Sequence, residues 1–329
     1  MENKQLAPVV IPTLNRYEHF KRCLESLEKC TLADETDVFV ALDFPPSNKY
    51  IDGWKMIDLY LKEKEQNNGF RNLFVIRRER NYGISAQENN YTLLLKEVSK
   101  SYNCYISSED DNEFSPNFLE YINKGLSLYE NDPQIMSICG YSYKSIKDLN
   151  LSTNVVALRK CAAWGIGLWF SKPYTYQSFG PERYRDSILK SWKKSMKLLR
   201  IRPYSLNTLL SMKFRDRIYG DSIMITEQIL EDKFSIFPTI SKVRNYGCDG
   251  SGAHSGVFKG FDVQEIDNDK HFEYSELTYV DGLTTDYTRR FPVLEKTSLY
   301  LVAFMRYISF RLFKKDVFSF YFERENKLM

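Results

Sequence analysis

Short apolar runs and helix-spaced apolar stripes alternate along the first 140 residues. Leu6 to Ile11 reads as a buried strand, and Arg16 to Lys29 as a helix with Phe20, Cys23, Leu24 and Leu27 on one stripe. Asp37 to Leu42 predicts a second strand, Trp54 to Lys64 a helix and Asn72 to Ile76 a third strand. Ser85 to Val98 predicts a helix capped by Ser85. Asn103 to Ser107 predicts a fourth strand, which stops at an acidic cluster. Ser115 to Tyr129 predicts a helix with Ser115 as its cap and Pro116 at its first position, and Gln134 to Cys139 a fifth strand.

This alternation predicts an α/β fold, a mostly parallel sheet covered by helices on both faces. In such sheets ligands bind beyond the carboxyl ends of the strands. Pro12 to Arg16, Asp43, Arg80 to Gly83 and Glu109 to Asp111 all fall at such ends, so four polar segments converge on one rim. Past residue 140 the alternation weakens. Short strands and loops surround Trp164 and Trp169, which two glycines separate, and together they could floor a sugar site or simply pack in the core. Lys190 to Arg217 carries nine basic residues and one acidic residue and predicts an exposed helical excursion. The simplest division is a catalytic unit over 1–258, with halves over 1–140 and 141–258 and a basic helical insertion over 184–217. A helical appendage over 259–329 completes it.

Composition narrows the class. The net charge of +3 is too even to make nucleic acid the main partner. The six cysteines form no CxxC pair, which predicts reduced buried thiols rather than a zinc site or a disulfide framework. MENKQLAPVVIP lacks the apolar stretch of a signal peptide, and no window offers roughly 18 uninterrupted apolar residues. The expected location is cytoplasmic. Basic residues interleaved with Trp, Leu, Phe and Tyr in 190–217 and after Leu299 add the expectation of a peripheral contact with an anionic membrane on its inner face. Helices packed on the catalytic unit with solvated Lys and Arg fit those stretches equally.

Glu109, Asp110 and Asp111 follow directly on an apolar strand. Burying like charges together is costly unless a cation compensates, and a hard divalent ion such as Mn²⁺ or Mg²⁺ takes oxygen ligands. A solvated acidic turn before a helix is the plain alternative.

APVVIPTLNRYEHFKRCLESL resembles the opening of glycosyltransferase family 2 and related enzymes of the GT-A (Rossmann-like) fold. ISSEDDNEFSPNFLEYINKGLSLYENDPQIMSICGYS is similar to N-acetylglucosaminyltransferase I and its relatives, as is the late glycine-rich stretch from Asn245 to Gly256. The resemblance covers roughly 6–140 and 219–258; the middle departs from those enzymes, so nothing about their acceptor transfers. It implies inverting, metal-dependent transfer of a sugar from a nucleotide donor, with uridine diphosphate favoured, to a glycan or lipid-linked glycan in surface-polysaccharide synthesis. It implies Asp111 as metal ligand, with Glu109 and Asp110 facing sugar and ribose. Asp43 and Arg16 would read the nucleotide together with Arg80, Asn81 and Gly83, beside Pro12 and Thr13. His254 would close the metal or diphosphate site. Asp221 would be the base, with Glu227 in reserve; as a helix N-cap Asp221 needs no catalytic role.

Two other classes compete. A nucleotidyltransferase making the sugar nucleotide would normally carry a glycine-rich loop after the first strand, where this chain has Pro12-Thr-Leu-Asn-Arg16 without glycine. A non-catalytic membrane-associated carbohydrate-binding protein would show no metal-dependent nucleotide binding.

Overall fold

The computed structural model describes residues 5–83, 88–147, 151–215, 218–251, 261–280, 293–316 and 318. The strands are β1 (Val9–Thr13), β2 (Asp37–Leu42), β3 (Asn72–Arg77), β4 (Cys104–Ser107), β5 (Asn112–Phe114), β6 (Ile135–Cys139), β7 (Val155–Leu158), β8 (Ile166–Trp169), β9 (Phe234–Pro238), β10 (Val243–Asn245) and β11 (Thr278–Tyr279). The helices are α1 (Tyr17–Glu28), α2 (Ile51–Gln66), α3 (Asn90–Val98), α4 (Phe118–Leu128), α5 (Lys144–Lys147), α6 (Thr175–Phe179), α7 (Pro181–Lys190), α8 (Trp192–Ile201), α9 (Pro203–Arg215), α10 (Gly220–Glu231) and α11 (Val293–Phe313).

Nine strands form one sheet in the order β11-β7-β9-β6-β8-β4-β1-β2-β3, and β5 pairs with β10 beside it. β4, β1, β2 and β3 run parallel, as do β6 and β9. β8 is antiparallel to both β4 and β6, and β7 to β9. The fold is thus α/β with a mostly parallel, mixed sheet flanked by helices. The five strands read from the first 140 residues are β1, β2, β3, β4 and β6. β8, from the second half of the chain, inserts between β4 and β6, an arrangement that local periodicity does not encode.

Three boundaries differ from expectation. β1 lies later than the apolar run suggested and includes Pro12 and Thr13. Alternate residues of a strand face alternate neighbours: Val10 O accepts from Ser108 of the β4 side, and Thr13 O accepts from Asp43 of the β2 side. Pro12 therefore faces past the end of the β1–β4 pairing, where its missing N–H forfeits no ladder bond. α3 starts after Asn89, whose side chain accepts from Thr92 N while Thr92 Oγ1 accepts from Asn89 N; Ser85 lies outside the described residues. Asn117, not Ser115, precedes α4, and Ser115 Oγ donates to Asn117 Oδ1 (3.0 Å).

The core is sheet-centred. β6, β7, β8 and β9 are buried along their whole lengths, because helices cover both faces there. β3 is an edge strand and alternates, with exposed Phe74 stacked on Phe39 (4.5 Å between centroids). The basic stretch is helical but not an exposed excursion. α9 buries Leu206, Leu209, Leu210 and Met212 against neighbouring helices, and its cations sit on the remaining faces. Residues 261–280 strap across α4: Tyr274 donates to Tyr121 O (2.9 Å), Phe272 N to Glu120 Oε2 (2.8 Å), and β11 joins β7. α11 packs on α9 and α8. Among the described residues no helix is long and apolar enough to cross a membrane.

Candidate functional site

The rim above the parallel strands gathers the expected residues. Thr13 ends β1, Asp43 follows β2, Asn81 and Gly83 follow β3, and Glu109, Asp110 and Asp111 follow β4. Arg16, at the start of α1, reaches across to the acidic run. Its Nη1 lies 2.8 Å from Asp111 Oδ2, and its Nη2 donates to Asp110 Oδ1. Thr13 Oγ1 donates to the other oxygen of Asp110 (2.9 Å). Asp110 and Asp111 are both buried.

Asp111 is fixed from a second direction. Asn245 Nδ2 donates to Asp111 Oδ1 (2.6 Å) and to Asn112 Oδ1 (3.0 Å), and Tyr246 N donates to Asp111 O (2.9 Å). Asn245 Oδ1 accepts from Gly247 N (2.9 Å), which tightens the turn after β10. A Cβ on Gly247 would lie 2.1 Å from Asp111 Oδ2, so only glycine fits against that carboxylate. The pairing of β10 with β5 delivers this clamp from more than a hundred residues away. Asn245 received no role from sequence; its position just ahead of the glycine-rich stretch is the signal that could have found it.

The electrostatics are lopsided. Burial works against the charge of Arg16, and Asp110 and Asp111 outweigh it, so the guanidinium is held more firmly charged than usual. Burial still leaves Asp110 harder to ionise than a free aspartate, and Asp111 adds to that against the pull of Arg16. Glu109 and Asp221 both reach solvent, yet enclosure by surrounding protein is the largest influence on each. Enclosure, then Asp111, Asp221 and Asp110, hold Glu109 well above the usual carboxylate range, so Asp221 of α10 lies close to the acidic run. Enclosure raises Asp221 to about 6. Four carboxylates thus gather where one guanidinium, that of Arg16, pairs with two of them.

Other expectations sort by geometry. The Asp43 carboxylate accepts from Phe44 N (2.9 Å), Tyr82 N (3.0 Å), Asn81 Nδ2 (3.2 Å) and Gly83 N (2.9 Å). Those four bonds fill the acceptor capacity of a carboxylate. Asp43 therefore holds the 81–83 turn, in which Gly83 takes φ +60°, a conformation easy for glycine alone. Arg80 is exposed, its guanidinium 4.9 Å from the centroid of Tyr82. Trp164 is half-buried near the rim against Tyr141 (4.8 Å) and Phe261 (4.9 Å).

Three expectations need correction. Trp169 ends β8 opposite Cys104, the start of β4, and so lies at the far edge of the sheet from the rim. It is buried, with its indole N–H on Leu126 O (3.2 Å), and serves the core rather than a sugar platform. Glu227 is buried and accepts from Thr175 N (2.6 Å) and Tyr176 N (3.4 Å), the first amides of α6; that capping duty removes it as a reserve base. Asp221 is the second residue of α10, after Tyr219 as the cap, so it does not cap the helix. His254 lies outside the described residues.

Among the described residues no group of three or more His, Cys, Asp or Glu is arranged to hold a metal. None of the six cysteines is in a disulfide. The acidic cluster nonetheless suits a cation that brings its own remaining ligands. Among the described residues each Asp111 oxygen has a single polar partner and keeps a lone pair, and the Glu109 carboxylate has no hydrogen-bond partner. The carboxylates offer hard oxygens, which Mg²⁺ and Mn²⁺ accept with only one or two protein carboxylates, and the Cys248 thiol lies close to Asp111 and Glu109.

No protein-family model and no curated protein matches the chain in sequence. Among solved structures, the chain is similar over 47% of its length to S. aureus TarS, with 16% identity, a TM-score of 0.30 and 22% of that chain covered. It is similar to residues 1–349 of S. aureus TarS in complex with UDP (17% identity, TM-score 0.29, 47% of this chain and 36% of that one). It is also similar to the mannosyltransferase PcManGT from Pyrobaculum calidifontis in complex with GDP-Man and Mn²⁺ (11% identity, TM-score 0.39, 68% and 69% covered). The match thus spans about a fifth of the whole TarS chain and about a third of its 1–349 portion. Likenesses this partial carry no argument about what the chain does, and none of the three bears on the resemblance to N-acetylglucosaminyltransferase I.

Proposed function

We propose that this chain is an inverting glycosyltransferase. It moves a sugar from a nucleoside diphosphate donor, uridine diphosphate first among them, to a hydroxyl of a glycan or lipid-linked glycan in surface-polysaccharide assembly. One observation carries the reading: Glu109, Asp110, Asp111 and Asp221 gather at the rim of the parallel strands, close enough for the other three to act on Glu109, and Arg16 is the only guanidinium paired with any of them among the described residues. Such a crowding of like charge, two of the four carboxylates buried, is costly without further positive charge.

Asp111 would hold Mn²⁺ or Mg²⁺, with Glu109 beside it. When bound, the ion neutralises charge on the departing diphosphate. Arg16, braced by Asp110 and Thr13, keeps Asp111 aimed from one side while Asn245 aims it from the other. Asp43 shapes the loop against which the nucleotide rests, through its bonds to the amides of Tyr82 and Gly83. Trp164 offers an aromatic wall to the sugar. Asp221 of α10 lies close to Glu109 and would take the proton of the attacking hydroxyl. Enclosure brings its proton affinity closer to neutral, as a general base requires. The nucleotide-binding half over 1–140 and the acceptor half over 141–258 would meet at this rim.

A panel of sugar nucleotides, assayed for release of nucleoside diphosphate with Mn²⁺, Mg²⁺ or chelator, tests the reading. Cation-dependent release from one donor, abolished in Asp111→Ala, is the expected result. Absence of any metal-dependent nucleotide binding by titration would count against it and favour a non-catalytic carbohydrate-binding protein.

A further inference from the structure

The last helix is apolar on both sides. Inward, Val302, Ala303, Tyr307 and Phe310 of α11 are buried; Phe310 meets Phe214 of α9 (5.9 Å) and Tyr307 meets Trp192 of α8 (5.7 Å). Arg306 is buried among them, its charge answered by Asp316, Asn207 and Ser211. Outward, Leu301, Met305, Ile308 and Leu312 recur at intervals of three or four residues and form a second stripe. Leu301 is 50% exposed, Leu312 67% and the adjoining Phe313 66%. A helix apolar all round is normally covered on every side.

The surroundings of that stripe select its cover. At its carboxyl end a cavity of about 430 Å³ opens between α9 and α11, lined by Ser211, Phe214, Arg215, Arg306, Lys314, Lys315 and Asp316. Its one acid, Asp316, is engaged by Arg306. Arg311 is anchored on the Lys190 carbonyl, and Lys314 lies over the Phe310 ring (5.2 Å). The edge of the apolar stripe is therefore basic. A second copy of the chain could cover the apolar stripe but would bring no opposite charge to the basic edge. An anionic surface with an apolar interior meets both features at once.

We propose that α11 lies in the interface of an anionic lipid bilayer. Leu301, Met305, Leu312 and Phe313 enter the acyl boundary, while Lys314 and Lys315 meet the phosphate head groups. This geometry makes α11 a peripheral anchor, parallel to the membrane plane, and it stands independently of the sugar-transfer reading.

Flotation of the full chain tests it, without donor or metal. Vesicles of phosphatidylcholine with phosphatidylglycerol should carry the protein upward, vesicles of phosphatidylcholine alone should not, and high salt should weaken the binding. Leu301→Glu with Leu312→Glu should cut partitioning at least about tenfold, since both apolar side chains must leave water for the effect. Lys314→Ala and Lys315→Ala should each cut it about fivefold, the equivalent of about 1 kcal/mol per cation at such a surface. All four positions are exposed, so an unchanged melting temperature separates lost docking from lost folding. The proposal is overturned if the wild-type chain stays at the bottom with anionic vesicles, or if the double Glu variant floats as well as wild type. It is overturned equally if sedimentation shows a dimer that the double Glu variant dissociates while flotation is absent.

Discussion

Arg16 and Arg306 are both arginines held against aspartates, and the two environments differ in balance. Among the described residues Arg306 meets a single aspartate. Its Nε and Nη2 grip Asp316 (2.9 and 2.6 Å), its Nη1 donates to Asn207 O and Oδ1, and Nη2 also donates to Ser211 Oγ. One positive charge answers one negative charge, and neutral polar groups take the remaining donors. Arg16 meets Asp110 and Asp111 while Glu109 and Asp221 lie close by. The first arrangement is complete and fastens α9 to α11. The second is complete only when something positive joins it. Buried ion pairs thus divide into fasteners and sites by the charge left over, not by the presence of a pair.

Substitutions should separate the two. The largest effect is expected for Asp111→Ala, which should lower donor turnover by roughly a thousandfold while leaving thermal unfolding near wild type, as transition-state charge stabilisation of this kind is worth several kcal/mol. Full activity in that variant would remove Asp111 from the site. Arg306→Ala should do the reverse. Breaking a buried pair by deleting one partner costs about 3–5 kcal/mol, read from urea unfolding, and added Mn²⁺ should restore none of it. If Mn²⁺ restored it, the contrast between the two arginines would collapse.

Asp221→Asn is expected to slow transfer by roughly a hundredfold or more, the usual weight of general-base assistance, with nucleotide affinity retained. The pH profile sharpens this. A base works unprotonated, and Asp221 sits near 6, so the wild-type rate should climb as pH rises through about 6 and level off above it. A rate already flat well below that pH would assign the base elsewhere. The smallest effect is expected for Gly247→Ala. Its Cβ would collide with Asp111 Oδ2, and overpacking of that kind costs about 1–3 kcal/mol. The cost should fall on metal-dependent nucleotide binding before it falls on unfolding. Equal metal affinity in Gly247→Ala and wild type would mean that Asp111 tolerates displacement.

Much of the rim was readable because local patterns suffice for it. An apolar run that ends at Thr13, Leu42, Arg77 or Ser107 deposits its polar successor at a strand end wherever the strand sits in the sheet. Partners were harder to read. Asp43 looks like a nucleotide reader by position, yet its acceptor capacity is spent on the turn that contains Gly83. Glu227 looks like a spare carboxylate, yet it caps α6, an element whose approach depends on how α7 to α10 stack. Trp164 and Trp169 look equivalent in sequence, but β8 runs antiparallel between β4 and β6 and carries them to opposite edges of the sheet. Asn245 looks unremarkable until β10 pairs with β5.

The sequence by itself determined the strand–helix rhythm, the parallel half of the sheet and the placing of Arg16 and Glu109–Asp111 at strand ends, because period and chain direction are local properties. Only the tertiary structure decided which charges were answered. It set Asp221 beside Glu109, clamped Asp111 from Asn245, used up Asp43 and Glu227, and turned half of α11 outward. Those outcomes depend on long-range packing, where burial strengthens each charge–charge contact and leaves an unmatched one expensive.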